Sequence, residues 1–375
     1  MAEALNKNVH LSGLNGLRAI AAMGVILAHI TINLGAFNLD PFIFGKRLDG
    51  SPKGTLLASY GVTIFFTLSG FLITYLLVIE KEKKPINILH FYIRRILRIW
   101  PLYYIYMVVA VIALVCTGYS LKLISNTLPY YLFFAANIPA ILDNALPLLR
   151  HYWSLGVEEQ FYLFWPWIIK VTKKTKMITA AIIVILICIK LFLRYIIPGN
   201  DTSLIFRAMS DLRFQCMLIG AYGAMLFYDK HALFMKVSTS KAAQLFAWVI
   251  ILLLAIDCFH IASILDHEFI SVVTVLIIVG QSSVKNRIIN LEAGIMDFTG
   301  RISYGIYMIH PLIIFGASKI FAHFIIPPAI KYPLIYVSVI TVTILLAYCS
   351  FNFIEKWFLN LKSKYSAVIS TDSKQ

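Results

Sequence analysis

A chain of 375 residues that is 60% hydrophobic and only 14% charged, with a mean hydropathy of +0.81, carries more apolar surface than a soluble domain of its size can bury. Its formal charge of +15 does not indicate nucleic acid, because the Lys and Arg fall in short clusters between apolar runs and no basic patch stands apart. There they read as topology signals and contacts for anionic membrane lipids. The five cysteines, Cys116, Cys188, Cys216, Cys258 and Cys349, are scattered singly as packing residues, without the spacing of disulfides or metal ligands.

Apolar runs long enough to cross about 30 Å of hydrocarbon fall at 14–36, 56–79, 99–118, 150–170, 177–197, 205–228, 243–265, 269–284, 302–322 and 332–354. They predict an all-α polytopic membrane protein, a bundle of about ten transmembrane helices. The run at 128–142 is shorter and broken by Pro139, so it is expected to be interfacial or re-entrant. Basic residues concentrate in alternate connections, at 81–84, 94–98, 170–176, 230–241, 285–301 and beyond 356, which places the N- and C-termini in the cytoplasm. Arg18 interrupts the first run and no convincing cleavage site follows, so that run reads as a retained span. Residues 1–360 are expected to form one membrane domain and 361–375 a disordered cytoplasmic tail. With no folded segment expected outside the membrane, the function belongs to the spans.

The first span, GLRAIAAMGVILAHI, carries Arg18 and His29 on nearly the same helical face, about 16 Å apart along the axis. A guanidinium and an imidazole inside a spanning helix normally face a bundle interior or a wet cavity. The second span contains FFTLSGFLIT, in which Ser69 and Gly70 permit close approach of another helix or of a ligand. At the mouth of the third span, RRILRIWPLYY sets Arg95 and Arg98 on one face, with Arg94 about 100° away. Such a cluster serves as a positive-inside anchor, and also as a phosphate clamp, because the planar guanidinium binds phosphate bidentately.

In HYWSLGVEEQFYLFWPW, Glu158 and Glu159 are expected about 17 Å from Lys170, near the midplane, with Ser154, Glu158 and Tyr162 in one stripe. This seam is either a structural hydrogen-bond network or part of a reaction centre. Arg207, Asp211 and Arg213 read as an internal ion pair near the outer surface. The ninth span opens GRISYGIYMIHP, with Ser303, Tyr307 and His310 on one stripe, Tyr304 beside them and Pro311 after the imidazole. His260 and His267 with Asp257, Asp266 and Glu268 lack tight ligand spacing and read as a solvated outer loop; no metal is expected.

Arg18 with His29, FFTLSGFLI, RRILRIWPLYY, WSLGVEEQFYL and GRISYGIYMIHP together resemble the acyltransferase-3 family of integral-membrane O-acyltransferases, over nearly the whole chain from Arg18 to Glu355. The resemblance implies a ten-helix bacterial enzyme that moves an acyl group, usually acetyl, from cytoplasmic acyl-coenzyme A to a hydroxyl of a cell-surface glycan or its lipid-linked precursor. That would place it in the plasma (inner) membrane. By position, Arg18 and His29 fall on the family's essential pair, Arg95 and Arg98 on its paired arginines, Trp153, Ser154 and Glu158 on its acidic stretch, and Ser303, Tyr304 and His310 on its late histidine stretch. Trp357 after Glu355, and Gly156, depart from the usual pattern outside the reacting groups. The hydrolase-like extracytoplasmic domain of some relatives is not in this sequence, so transfer is expected to be completed by the spans.

On this reading Arg18, Arg95 and Arg98, with Trp153 and Ser154, hold acetyl-coenzyme A as donor substrate, and the thioester reaches His29. His29 is the expected general base, oriented by Glu158, with Tyr304 or Ser303 donating to the oxyanion; His310 is the alternative base or a proton shuttle. Direct transfer and a covalent acyl-enzyme both remain open at this point. A proton-coupled transporter or flippase for a glycan precursor is the rival reading, against which stands the lack of repeated halves; a non-catalytic sensor is the third.

Overall fold

The computed structural model describes residues 11–195, 204–262 and 264–365. Among them the structure is helix, turn and one isolated bridge between Lys46 and Pro52. Helix α1, Leu14–Ile32, starts after Gly13, whose φ of 76° suits a residue without a side chain. Helix α2, Leu56–Lys83, is the axis of the molecule: it packs against α1 on one side and the later helices on the other. Helix α3, Ile88–Cys116, is capped by Asn87, which accepts from the His90 amide. Two short helices follow, α4, Leu121–Leu132, and α5, Asn137–Ile141. The second lies within the run around Pro139 and is far too short to cross.

Helices α6, Tyr152–Val171, and α7, Thr175–Tyr195, precede α8, Leu204–Leu212, and α9, Phe214–Tyr228. The predicted sixth span is therefore divided at Arg213, which adopts φ 45°, ψ 31°. Helices α10, Ala232–Ser238, and α11, Lys241–Ala255, are bent by 57° to one another. Then come α12, Asp266–Gln281, α13, Gly294–Arg301, α14, Ser303–Phe321, and α15, Pro328–Ser350. A π-helical turn, Phe351–Glu355, leads into α16, Lys356–Ser363.

Among the described residues six helical stretches are long and apolar enough to cross a membrane: α1, α2, α3, α7, α14 and the combined Pro328–Lys362; α10 and α11 make a seventh if they form one bent span. The other apolar runs fold as shorter or more polar helices. Helices α9, α11 and α12 have 15, 15 and 16 residues, about 23 Å each, and α6 carries Glu158, Glu159 and Lys170. The expected disorder from residue 361 is not found at its start. Helix α16 continues to Ser363, Arg94 donates to the Tyr365 carbonyl at 2.8 Å, and the Tyr365 ring lies 5.5 Å from that of His90. Residues 366–375 lie outside the described region.

The tightest crossing joins α2 to α9. A Cβ on Gly70 would meet the Met217 carbonyl oxygen at 1.9 Å, and one on Gly220 the Thr67 carbonyl oxygen at 2.1 Å. Small residues here let two backbones touch, as in membrane helix pairs generally. Gly70 thus serves helix packing, while Ser69 beside it turns toward α6.

Candidate active site

His29, near the C-terminal end of α1, and His310, at the centre of α14, meet with Nδ1 of the first 2.6 Å from Nε2 of the second, their rings stacked at 8°. The His310 ring is fully buried. Its Nδ1 lies 3.2 Å from the Ile306 carbonyl oxygen, one turn back on α14. A carbonyl can only accept, so His310 Nδ1 carries the hydrogen and its Nε2 holds a lone pair. His29 Nδ1–H donates to that lone pair, which leaves His29 Nε2 unprotonated. The pair presents one imidazole with a basic nitrogen and a second that fixes its tautomer.

His29 borders a cavity of about 660 Å³ between the C-terminal end of α1, the start of α2, the start of α6 and the second half of α14, with His310 buried behind it. Asn33, Ser59, Arg150, His151, Trp153 and Tyr307 contribute its polar and aromatic walls. The His151 ring stands edge-on to those of Tyr307 and His310, with centroids 5.5 and 5.7 Å away.

A second, narrower chamber of about 100 Å³ lies toward the opposite ends of the same helices, where Arg18, Arg95 and Arg98 line it with Ser69, Ser154, Glu158, Ser303 and Tyr304. A small extension past Arg18, Arg98 and Tyr304 reaches Asn15, Arg301 and Glu355. The two main chambers share Val62 and Tyr307 as walls. The Tyr307 hydroxyl is held between the His151 carbonyl, 2.9 Å, and Ser154 Oγ, 2.6 Å. Val62 and Tyr307 therefore form the partition between a basic chamber and an imidazole chamber.

The arginines at and beside this chamber separate by task. Arg94 is paired with buried Glu80 at 3.0 Å and holds the chain end through Tyr365, so it is structural. Arg95 lies over the rings of Phe91 and Tyr162, and its buried Nε has no hydrogen-bond partner. Arg95 also lines the chamber, and a guanidinium on such a wall fits an anionic group that arrives from outside the protein. Arg18 is oriented by Asn15, whose Oδ1 accepts from it at 2.8 Å while Nδ2 donates to Asp297 at 2.9 Å.

Several expected partnerships are rearranged. Glu158 does not orient His29: its Oε1 accepts from Ser69 and from Tyr162, in the basic chamber. Tyr304 donates to the Ile99 carbonyl at 2.7 Å and lines the basic chamber with Ser303, so neither is placed to serve an oxyanion at His29. Trp153 lies in the imidazole chamber, whereas Ser154 reaches the basic one. Arg207 pairs with Asp143 and Arg213 donates to Ser59, while both guanidiniums stay near enough to Asp211 to act on it electrostatically. The outer His and acidic residues do not form the expected solvated loop: Asp266 and Glu268 are buried on α12, and the group splits into separate pairs. Asp257 takes Arg47, His260 takes Asp266, His267 takes Thr63, and Glu268 takes Lys190 and Gln215. Among the described residues no group of three His, Cys, Asp or Glu is placed to hold a metal.

His151, Arg150 and Val62 were not singled out from sequence. His151 had a legible signal, since it precedes Ser154 by three residues on the polar seam. Arg150 and Val62 had none.

An all-helical protein with six candidate membrane spans among the described residues, an imidazole pair and an arginine chamber is the architecture into which the comparisons fall. A family model described as an acyltransferase domain, Acyl_transf_3, matches residues 11–351. The chain belongs to this acyltransferase family. A provisionally named O-acetyltransferase of Staphylococcus aureus strain MRSA252 is 28% identical over 388 residues, covering 95% of this chain and 59% of the relative. The O-acetyltransferase OatA of S. aureus strain NCTC 8325 / PS 47 is 28% identical over 379 residues, covering 92% of this chain and 57% of OatA. The chain thus spans rather more than half the length of these curated relatives. No solved structure matches.

Proposed function

We infer that the chain is a ten-span O-acyltransferase of the bacterial plasma membrane, both termini cytoplasmic. It moves an acyl group, acetyl in the first instance, from cytoplasmic acyl-coenzyme A to a hydroxyl of an extracytoplasmic or lipid-linked glycan. The observation that carries this reading is the pair of chambers at opposite helix ends, arginines in one and His29, backed by His310, on the wall of the other, with a shared wall at Val62 and Tyr307.

The basic chamber faces the cytoplasm in this topology. Arg95, Arg98 and Arg18 receive the phosphates of the donor, and the pantetheine arm extends past Tyr307 toward His29. The distance to cover is the rise from Arg18 to His29, about 16 Å. In the imidazole chamber His29 Nε2 accepts the proton of the acceptor hydroxyl as its oxygen attacks the thioester carbon. The new C–O bond forms, the C–S bond breaks, and the thiolate takes up the proton. While His29 carries that proton, His310 Nε2 holds its Nδ1–H and spreads the charge over two rings. No carboxylate is needed at the base in this arrangement.

Incubating the purified protein with acetyl-labelled acetyl-coenzyme A and a saccharide acceptor tests the reading. The expected result is coenzyme release with label on the sugar. Binding of the donor without release of label over long incubation would overturn it and favour a transporter.

A further inference from the structure

The imidazole chamber has an uneven charge. Its walls include one cation, Arg150, and two histidines, and none of its lining residues is Asp or Glu. Arg150 differs from the other arginines at this end of the helices. Arg47 is paired with Asp257, Arg207 with Asp143, and Arg213 is spent on the Ser59 carbonyl and hydroxyl. The exposed Arg150 guanidinium makes no hydrogen bond or close ion pair with another described residue, although Asp211 is near enough to feel its charge, and it stands on the chamber wall beside His151 and Trp153. Trp153 offers an indole of the kind on which a sugar ring packs, fixed from behind by Phe66 at 6.0 Å and by the Arg213 guanidinium at 5.4 Å. A cavity of about 660 Å³ is large enough for a saccharide unit.

We propose that the acceptor is an anionic saccharide, whose carboxylate or phosphate is bound by Arg150 while its ring packs at Trp153 and its hydroxyl meets His29. The proposal rests on the acyltransferase reading and adds the charge class of the acceptor. A guanidinium forms two parallel bonds to either anion, so the shared chemistry is a planar or tetrahedral oxyanion near the reacting hydroxyl.

The test compares methyl glucuronoside, glucose 1-phosphate and methyl glucoside as acceptors for label from acetyl-coenzyme A, with the wild-type chain, Arg150→Gln and Arg150→Lys. The wild type is expected to favour at least one anionic sugar over the neutral one by about tenfold or more in kcat/KM. That ratio should collapse in Arg150→Gln and be partly restored in Arg150→Lys. Preference for the phosphate assigns a phosphorylated or lipid-linked acceptor, and preference for the uronoside a carboxylated glycan. Equal use of charged and neutral sugars, or a ratio unchanged in Arg150→Gln, overturns the proposal. Equilibrium binding of the same three sugars is measured in parallel. If no label is transferred to any acceptor, the acyltransferase reading fails, while an anion preference in binding that Arg150→Gln removes still supports the recognition site, and its absence refutes it.

Discussion

His29 and His310, 281 positions apart in the chain, share a hydrogen bond of 2.6 Å whose direction is set by the Ile306 carbonyl behind the second ring. The arrangement assigns different duties to two like side chains. One has a basic nitrogen facing the chamber and the other holds it in place. His310→Ala should therefore lower kcat by about 10²- to 10³-fold with little change in the KM for acetyl-coenzyme A. His310→Gln, which retains an acceptor for the His29 Nδ1–H, should recover part of the loss. Steady-state kinetics on the two variants checks this.

Arg94 and Arg95 are neighbours with opposite expected phenotypes. Arg94→Ala strands the buried Glu80 carboxylate and should cost about 3–5 kcal/mol of stability, read as an earlier melt in detergent. Arg95→Ala removes the guanidinium with the unmatched Nε and should raise the KM or Kd for acetyl-coenzyme A by about tenfold or more. Titration of coenzyme A binding beside a thermal melt separates the two.

Val62 is a wall of both chambers and has no polar role. Val62→Trp should block transfer to the acceptor while coenzyme A still binds in the basic chamber; equal transfer rates in wild type and variant would show that the donor does not pass this wall.

Gly70→Ala places a methyl group within 1.9 Å of the Met217 carbonyl oxygen. The α2 and α9 backbones must separate, at about 1–3 kcal/mol, so the variant should melt earlier even though Gly70 touches no reacting group.

The sequence made the helical class legible because long apolar runs have few other solutions, and it put Arg18 and His29 on one face because helical period fixes that relation within a single element. What it did not give was which helix a face meets. The spacing of Glu158 from Lys170 gives its depth but not its direction; its carboxylate turns to Ser69 on α2, not to α1. Trp153, five residues earlier on α6 and so about 7.5 Å along the axis, falls in the other chamber. The division at Arg213 falls in the polar stretch Arg207–Gln215, but polarity alone does not tell a break from a buried polar helix; at Arg213 a left-handed backbone goes with bonds from its guanidinium to Ser59 and Ser210.

The most direct test is single-turnover transfer from labelled acetyl-coenzyme A by His29→Ala, at donor concentrations that saturate binding. The expected result is unchanged coenzyme A affinity with transfer slowed by at least about 10²-fold. Transfer at the wild-type rate would show that the basic nitrogen in the imidazole chamber does not take the acceptor's proton.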